Sequence, residues 1–212
     1  MRFSTSGLRW LARLRTIAST PTPAAGGKTQ LTLARIGSPR VRRDLGRRDA
    51  ALSYGRVFVP SLLIDHTELM LRQHGVCGDE GFGVWAGTLS GGDAFVSTLI
   101  VPRIEGGGLH GDVSAETAAR LFEELDVLDL VPIAQIHSHP SKAFLSAIDA
   151  ERPLVAALGF LSIIIPSFGF VDLADVAVWR AYEFHGRNNW RELEEAERRR
   201  RLIVDPSLLR ID

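Results

Sequence analysis

The sequence predicts an α/β domain of the α+β kind, with a mixed central β-sheet flanked by helices. Two apolar runs at residues 82–89 and 94–101, separated by Gly91 and Gly92, have the pattern of a β-hairpin. Residues 161–165 (Leu-Ser-Ile-Ile-Ile) form a continuous run of the kind expected of a strand covered on both faces. Ala118, Leu121, Phe122 and Leu125 recur at i, i+3, i+4 and i+7, which makes one apolar helical face. Hairpins and amphipathic helices along one chain pack as a sheet with helices against it. With 212 residues, of which 45% are hydrophobic, the chain can bury one sizeable core.

Taken in order, residues 1–50 are expected to form a basic, disordered tail. It has short helical potential at residues 8–14, a Pro/Gly/Thr stretch at 20–29 and Arg-rich polar sequence beyond. Residues 51–212 are expected to form the folded domain. A strand at 57–60 leads to a helix capped by Ser61 that runs to about Gln73 and stops at Gly75 and Gly78. The hairpin follows, then a glycine-rich loop at 106–108. Ser114 is placed to cap the helix that carries Leu121 and Leu125. A short apolar strand at 133–136 delivers the sequence His-Ser-His-Pro. Residues 146–158 are helical in part, with Pro153 at a start or a break. Residues 176–184 read as a further strand, and 190–201 as a solvated helix with Glu194/Arg198, Glu195/Arg199 and Glu197/Arg201 at i, i+4. Trp85 and Trp179 are expected in the core.

The formal net charge of zero hides an asymmetry. Residues 1–48 hold eleven Lys or Arg against one acid, Asp44, while the remainder holds fourteen basic residues against twenty-four acidic ones. An acidic body argues against a nucleic-acid-binding core. One cysteine, Cys77, rules out an intrachain disulfide and a zinc site of several thiolates, and suits a reducing, cytoplasmic setting. No apolar run approaches the length of a membrane span, so no membrane insertion is expected. The Arg-, Ser- and Thr-rich, acid-poor N-terminus has a composition shared by transit peptides, disordered arms and sequence ahead of a later start codon. Its charge would also suit contact with nucleic acid or anionic lipid, and composition does not choose among these.

The informative segment is Gln-Ile-His-Ser-His-Pro-Ser-Lys-Ala-Phe-Leu-Ser-Ala-Ile-Asp, from Gln135 to Asp149. His137 and His139, one residue apart at the end of a strand, point to the same side because strand side chains alternate with period two. Both imidazoles can then reach one ion, and Pro140 stops the strand at once. Ser146 and Asp149, three apart on one helical turn, face the same way. Asp149 can therefore complete a set of two His and one carboxylate, the pattern of a catalytic rather than a structural zinc site. The best candidate for the base is Glu80, at a turn entering the 82–89 strand, where Gly81 and Gly83 permit close backbone approach. His110 is read as a loop residue, His66, His74 and His185 as structural, and Cys77 as a buried or incidental thiol.

An early Glu followed by His-Ser-His-Pro and Ser-x-x-Asp resembles the JAMM (MPN+, or JAB) zinc metalloprotease family, bacterial deubiquitinase-like isopeptidases included. Glu80, Gly83, Val84, Trp85, Ala86 and Gly87 fit the first part of its pattern, and His137, Ser138, His139 and Pro140 the next. One departure is visible: six residues, rather than the family's usual seven, separate His139 from Ser146, while the Ser146–Asp149 spacing is kept. The resemblance implies a JAB/MPN, cytidine-deaminase-like fold and one Zn²⁺ per chain on His137, His139 and Asp149. It implies Glu80 as general base then general acid, and Ser146 as a hydrogen-bond donor to the oxyanion. The implied substrate is an amide or isopeptide bond at the C-terminus of a ubiquitin-like or sulfur-carrier protein, with activating and conjugating enzymes of the same pathway as further partners. Residues 91–92 and 105–112 are expected to wall the groove that takes the substrate tail.

Other readings compete. A peptidase of small peptides or amino-acid–carrier adducts would use the same site, and a non-catalytic MPN scaffold would lack these ligands. An amidohydrolase barrel needs roughly 250 residues and repeated βα units. A zinc deaminase needs a Pro-Cys-x-x-Cys segment, which one cysteine excludes.

Overall fold

The computed structural model describes residue 52, residues 54–102 and residues 113–206. The tail over residues 1–50, the glycine-rich loop with His110, and the groove wall expected at 105–112 lie outside the described residues. The strands are β1 (Val57–Pro60), β2 (Phe82–Ser90), β3 (Asp93–Ile100), β4 (Val131–Ser138), β5 (Leu161–Ile165), β6 (Arg180–Phe184), β7 (Trp190–Glu192) and β8 (Leu202–Asp205). The helices are α1 (Ser61–Val76), α2 (Ala115–Leu128), α3 (Ala147–Glu151) and α4 (Glu195–Arg201). The strands form one mixed sheet in the order β7-β6-β5-β4-β2-β3-β1-β8. The α+β expectation with a mixed central sheet is met.

The pairing follows the residue pattern. Gly91 and Gly92 both have positive φ, 60° and 80°, the backbone a two-residue hairpin turn requires, and they join β2 to β3. At Gly87 the β2–β3 register shifts, and a side chain there would run into the Phe95 carbonyl. β5 is buried along its whole length, as its continuous apolar run demands, and pairs parallel to β4. Period-two alternation divides the core between the two faces of β2. Trp85 joins the larger cluster with Leu63, Leu71, Ile163 and Trp179, and donates its indole N–H to buried Thr67 at 3.0 Å. Val84 and Ala86 turn the other way and meet Leu121 and Leu125 of α2. Ser114 caps α2, its side chain accepting from the Thr117 amide. No helix among the described residues is long and apolar enough to cross a membrane.

Four local expectations are corrected. Ser61 does not cap α1: the strand runs straight into the helix, Pro60 occupies the cap position without a side-chain bond, and Ser61 is already helical. Gly75 lies inside α1, where a Cβ would collide with Phe168, and the turn falls at Gly78 with φ 81°. Residues 176–184 are not one strand. A 3₁₀ turn at Val176–Val178 precedes β6, and Asp175 accepts from the Ala177 amide to start it. Residues 190–201 are not a solvated helix either, because β7 pairs with β6 and only Glu195–Arg201 is helical. Arg198 is 1% exposed and donates to the carbonyls of Val176, Leu193 and Ala177 at 3.1, 2.9 and 3.2 Å. That burial lowers its pKa from the ordinary guanidinium value.

Candidate functional site

β4 delivers His137 and Ser138 at its C-terminal end, and the β4–β5 pairing carries on for one residue through the His139 amide, which donates to Ile165 O at 2.9 Å. Both imidazoles are buried, each 5% exposed, with ring centroids 5.1 Å apart. They are a buried pair rather than a surface one. Asp149, on α3, turns its Oδ2 toward both rings, 3.4 Å from His137 Nε2 and 3.6 Å from His139 Nε2. Among the described residues, His137, His139 and Asp149 form the group whose ligand atoms converge, all within 4.8 Å of one another.

Three observations show that this donor set fits a metal. Ligands about 2.0–2.1 Å from a tetrahedral zinc lie about 3.3 Å from each other, close to the separations seen. The buried Nδ1 and Nε2 of His137 have no hydrogen-bond partner, a condition that costs about 1–3 kcal/mol for each group unless something satisfies it. The third concerns the carboxylate: burial alone would raise the pKa of Asp149, but the His137 and His139 imidazoles beside it hold the carboxyl well below the usual carboxylate range. An anionic Asp149 is the form a metal needs.

Local chemistry explains why Asp149 stands there. Ser146 and Asp149 form a reciprocal capping box: the Ser146 amide donates to Asp149 Oδ2 at 2.9 Å, and the Asp149 amide donates to Ser146 Oγ at 3.2 Å. The three-residue spacing read from the sequence thus serves the helix start as well. α3 ends at Glu151 with Arg152 as its C-cap, and Pro153 follows at that break.

Glu80 precedes β2, and its segment is clamped to the His strand. The Gly81 amide donates to the buried Ser138 hydroxyl at 3.0 Å, and the Ser138 amide donates to Gly81 O at 3.0 Å. Gly81 packs so tightly on α1 that a Cβ would stand 2.9 Å from Leu71 Cα, and one at Gly83 would stand 2.9 Å from Leu99 Cδ1. The close approach expected of these glycines is therefore present. Glu80 lines one cavity of about 480 Å³ with Phe82, Gln135, His137, Ile148 and Asp149, which places the base candidate and two of the three ligand candidates on one wall system. Val113, Ser114 and Ala118, at the start of α2, close another side. Ser146 is not among the lining residues. The hairpin turn at 91–92 does not wall this cavity, because Phe82 pairs with His137 and the turn lies at the opposite end of β2.

Several contributors were not singled out from sequence. Phe82 stacks toward His137 and Phe144 meets His139 edge-on, with centroids 6.5 and 4.9 Å apart. Ser167, Phe168 and Gly169 all have positive φ, at 54°, 51° and 80°, and the Phe168 amide donates to His139 O at 2.8 Å. Only Gln135 carried a signal in advance, as a polar residue between Ala134 and Ile136 in an apolar strand. Cys77 is exposed, and His185 pairs with Glu183 at 3.1 Å.

No family model matches the chain. A Sinorhizobium fredii protein named "Probable metalloprotease y4jG" is 29% identical over 154 residues, covering 70% of this chain and 93% of its own length. The Arabidopsis thaliana protein "AMSH-like ubiquitin thioesterase 3" is 27% identical over 124 residues, covering 57% of this chain and 24% of its own length. Among solved structures, a Desulfitobacterium hafniense protein determined in solution superposes with a TM-score of 0.53 at 16% identity, covering 72% of this chain and 95% of that one, and so shares the fold. The Glu, His-Ser-His-Pro and Ser-x-x-Asp signature on this fold, together with these relatives, supports a hydrolase of the JAMM/MPN kind.

Proposed function

We propose that this chain is a zinc-dependent isopeptidase of the cytoplasm, hydrolysing amide or isopeptide bonds at the C-terminus of a ubiquitin-like or sulfur-carrier protein. Residues 51–212 are the catalytic unit in this reading, and residues 1–50 a basic appendage. The observation that carries it is His137, buried with neither ring nitrogen in a hydrogen bond and its Nε2 facing the Asp149 carboxylate that also faces His139. The names of the two relatives support it, one as a metalloprotease and the other as a ubiquitin thioesterase.

His137, His139 and Asp149 would hold the ion. When bound, zinc supplies a water of pKa near ~7 and polarises the scissile carbonyl. Glu80 takes the proton of the attacking water and returns it to the leaving amine, acting as general base and then general acid. The Ser138–Gly81 clamp keeps the Glu80 segment in register with the His strand, so base and ligands hold their relative places. Ser146 Oγ accepts from the Asp149 amide, which holds it at the start of α3, and in this reading its O–H donates toward an oxyanion. Phe82 and Phe144 restrict both imidazoles and keep water from their flanks.

Selectivity in this reading comes from an extended tail of small residues that pairs its backbone with a sheet edge. The test uses zinc-loaded protein with three substrates: a ubiquitin-like fusion, the same fusion with Arg in place of its terminal Gly, and casein. Cleavage of the first alone is expected. Equal cleavage of all three would replace the isopeptidase with a broad metallopeptidase.

A further inference from the structure

The apolar strand β4 carries one buried amide, Gln135, 3% exposed and two residues before His137 on the same face. Its two ends are distinguishable by chemistry. The Leu154 amide can only donate, so it meets Oε1, at 3.2 Å; Nε2 then donates to Ser162 Oγ at 3.1 Å. Ser162 sits opposite Gln135 in the parallel β4–β5 pair, and β5 is buried throughout, so this end of the amide is anchored in the core. The other end reaches out to the chain just beyond α3.

α3 needs such an anchor. It has five residues and none of them is buried, so side-chain burial within the helix does little to fix it to the sheet. It nevertheless carries Asp149, whose oxygen must sit within tenths of an ångström of one place to share an ion with His137 and His139. Leu154 packs its side chain against both apolar clusters, and polar bonds add direction: Trp190 Nε1 donates to Ala150 O at 3.2 Å, and the Leu154 amide donates to Gln135 Oε1 at 3.2 Å.

We infer that Gln135 is a positioning residue for the Asp149 ligand: the strand that presents both His side chains also holds, through Gln135, the end of the segment that presents the carboxylate. The inference rests on reading His137, His139 and Asp149 as a metal site. Removing a partner that orients a ligand costs about 10–100-fold in metal affinity, and Gln135 orients its ligand through the backbone.

The test is titration of Co²⁺ into the full-length metal-free chain, read by visible absorption, with thermal unfolding and Leu154 amide exchange of the metal-free protein in parallel. The parent should give the intense bands of tetrahedral cobalt. Gln135→Met keeps length and loses both hydrogen bonds; it should bind cobalt at least tenfold more weakly, with altered bands and faster Leu154 exchange. Gln135→Glu keeps an acceptor for the Leu154 amide and can accept from the Ser162 hydroxyl, so it should restore affinity to within about threefold of the parent. Folded Gln135→Met with parental affinity and spectrum overturns the inference while leaving the metal site standing. If Gln135→Met does not fold, Gln135→Glu decides: near-parental binding supports the role, and a tenfold loss overturns it. A parent chain that gives no cobalt bands overturns the metal reading and this inference with it.

Discussion

At the scale of single residues, the site depends on side chains with two tasks each. Asp149 caps its own helix and turns the same oxygen toward two imidazoles. Ser138 is a strand residue whose hydroxyl and amide both bond Gly81, so the residue between the two His side chains also fixes the residue after Glu80. This explains why the signature was legible: chemistry needs these residue types, and local geometry needs the same spacings. The one-residue contraction before Ser146 still lets His137, His139 and Asp149 converge, because the capping box travels with Asp149. Glu80 makes no part of that group, so the proposed base and the candidate ligands separate by mutation. Glu80→Gln should retain metal and melting temperature and lose about 10²–10⁴-fold in turnover, the worth of a positioned general base. Activity within a few-fold of the parent would remove Glu80 from the mechanism.

At the scale of elements, the turn after β5 is a strained part of the fold. Ser167 and Phe168 occupy the left-handed region, at a cost of about 1–2 kcal/mol per residue, and their amides reach Ser141 O and His139 O. α1 locks this turn: Arg72 donates to Gly169 O and Val171 O at 2.9 and 3.1 Å, and Gly75 leaves room for Phe168. Ser167→Gly relieves one strained residue but loosens the unfolded chain, so a net gain of about 0.5–1 kcal/mol is expected by denaturant unfolding. A loss of stability would show that the Ser167 side chain holds the turn. The C-terminal elements were the least legible, for a physical reason. Charges at i, i+4 look alike on any exposed helix, whereas Arg198 finds its acceptors on Val176 and Ala177, more than twenty residues away in sequence. Beside it, Glu183 of β6 joins Arg191 of β7 and Arg201 of α4 at 2.8 and 2.7 Å. An exposed pair contributes less than about 1 kcal/mol, but Glu183 and Arg201 are each only 13% exposed. Burial raises the pKa of Glu183, yet the hydrogen bonds from Arg201 and Arg191 outweigh it and set the value at about 2. A carboxylate more acidic folded than unfolded stabilises the fold above its unfolded pKa, and that contribution fades as pH falls toward about 2. Melting temperature should therefore hold from pH 7 to about 5 and decline below, and Glu183→Gln should lower it at pH 7 while flattening the decline. An unchanged slope in the variant would move the acid sensitivity elsewhere.

At the scale of the whole molecule, alternation and turn chemistry sufficed for the α+β class. Hydrophobic patterns gave no hint that β8 would close the sheet against β1, because that parallel pair joins residues nearly 150 positions apart. The mixed sheet matters to function through one register: β2 lies antiparallel to β4 with Phe82 opposite His137, which brings the Glu80 turn to the end of the strand where the His side chains emerge. The proposed base, the candidate ligands and the fold are thus one arrangement. The most direct measurement of it is metal content by elemental analysis after gel filtration, on the parent and on Asp149→Ala, with circular dichroism to confirm folding. The parent should carry about one zinc per chain and folded Asp149→Ala almost none, because a three-ligand site cannot spare one. Full zinc in folded Asp149→Ala would contradict the account.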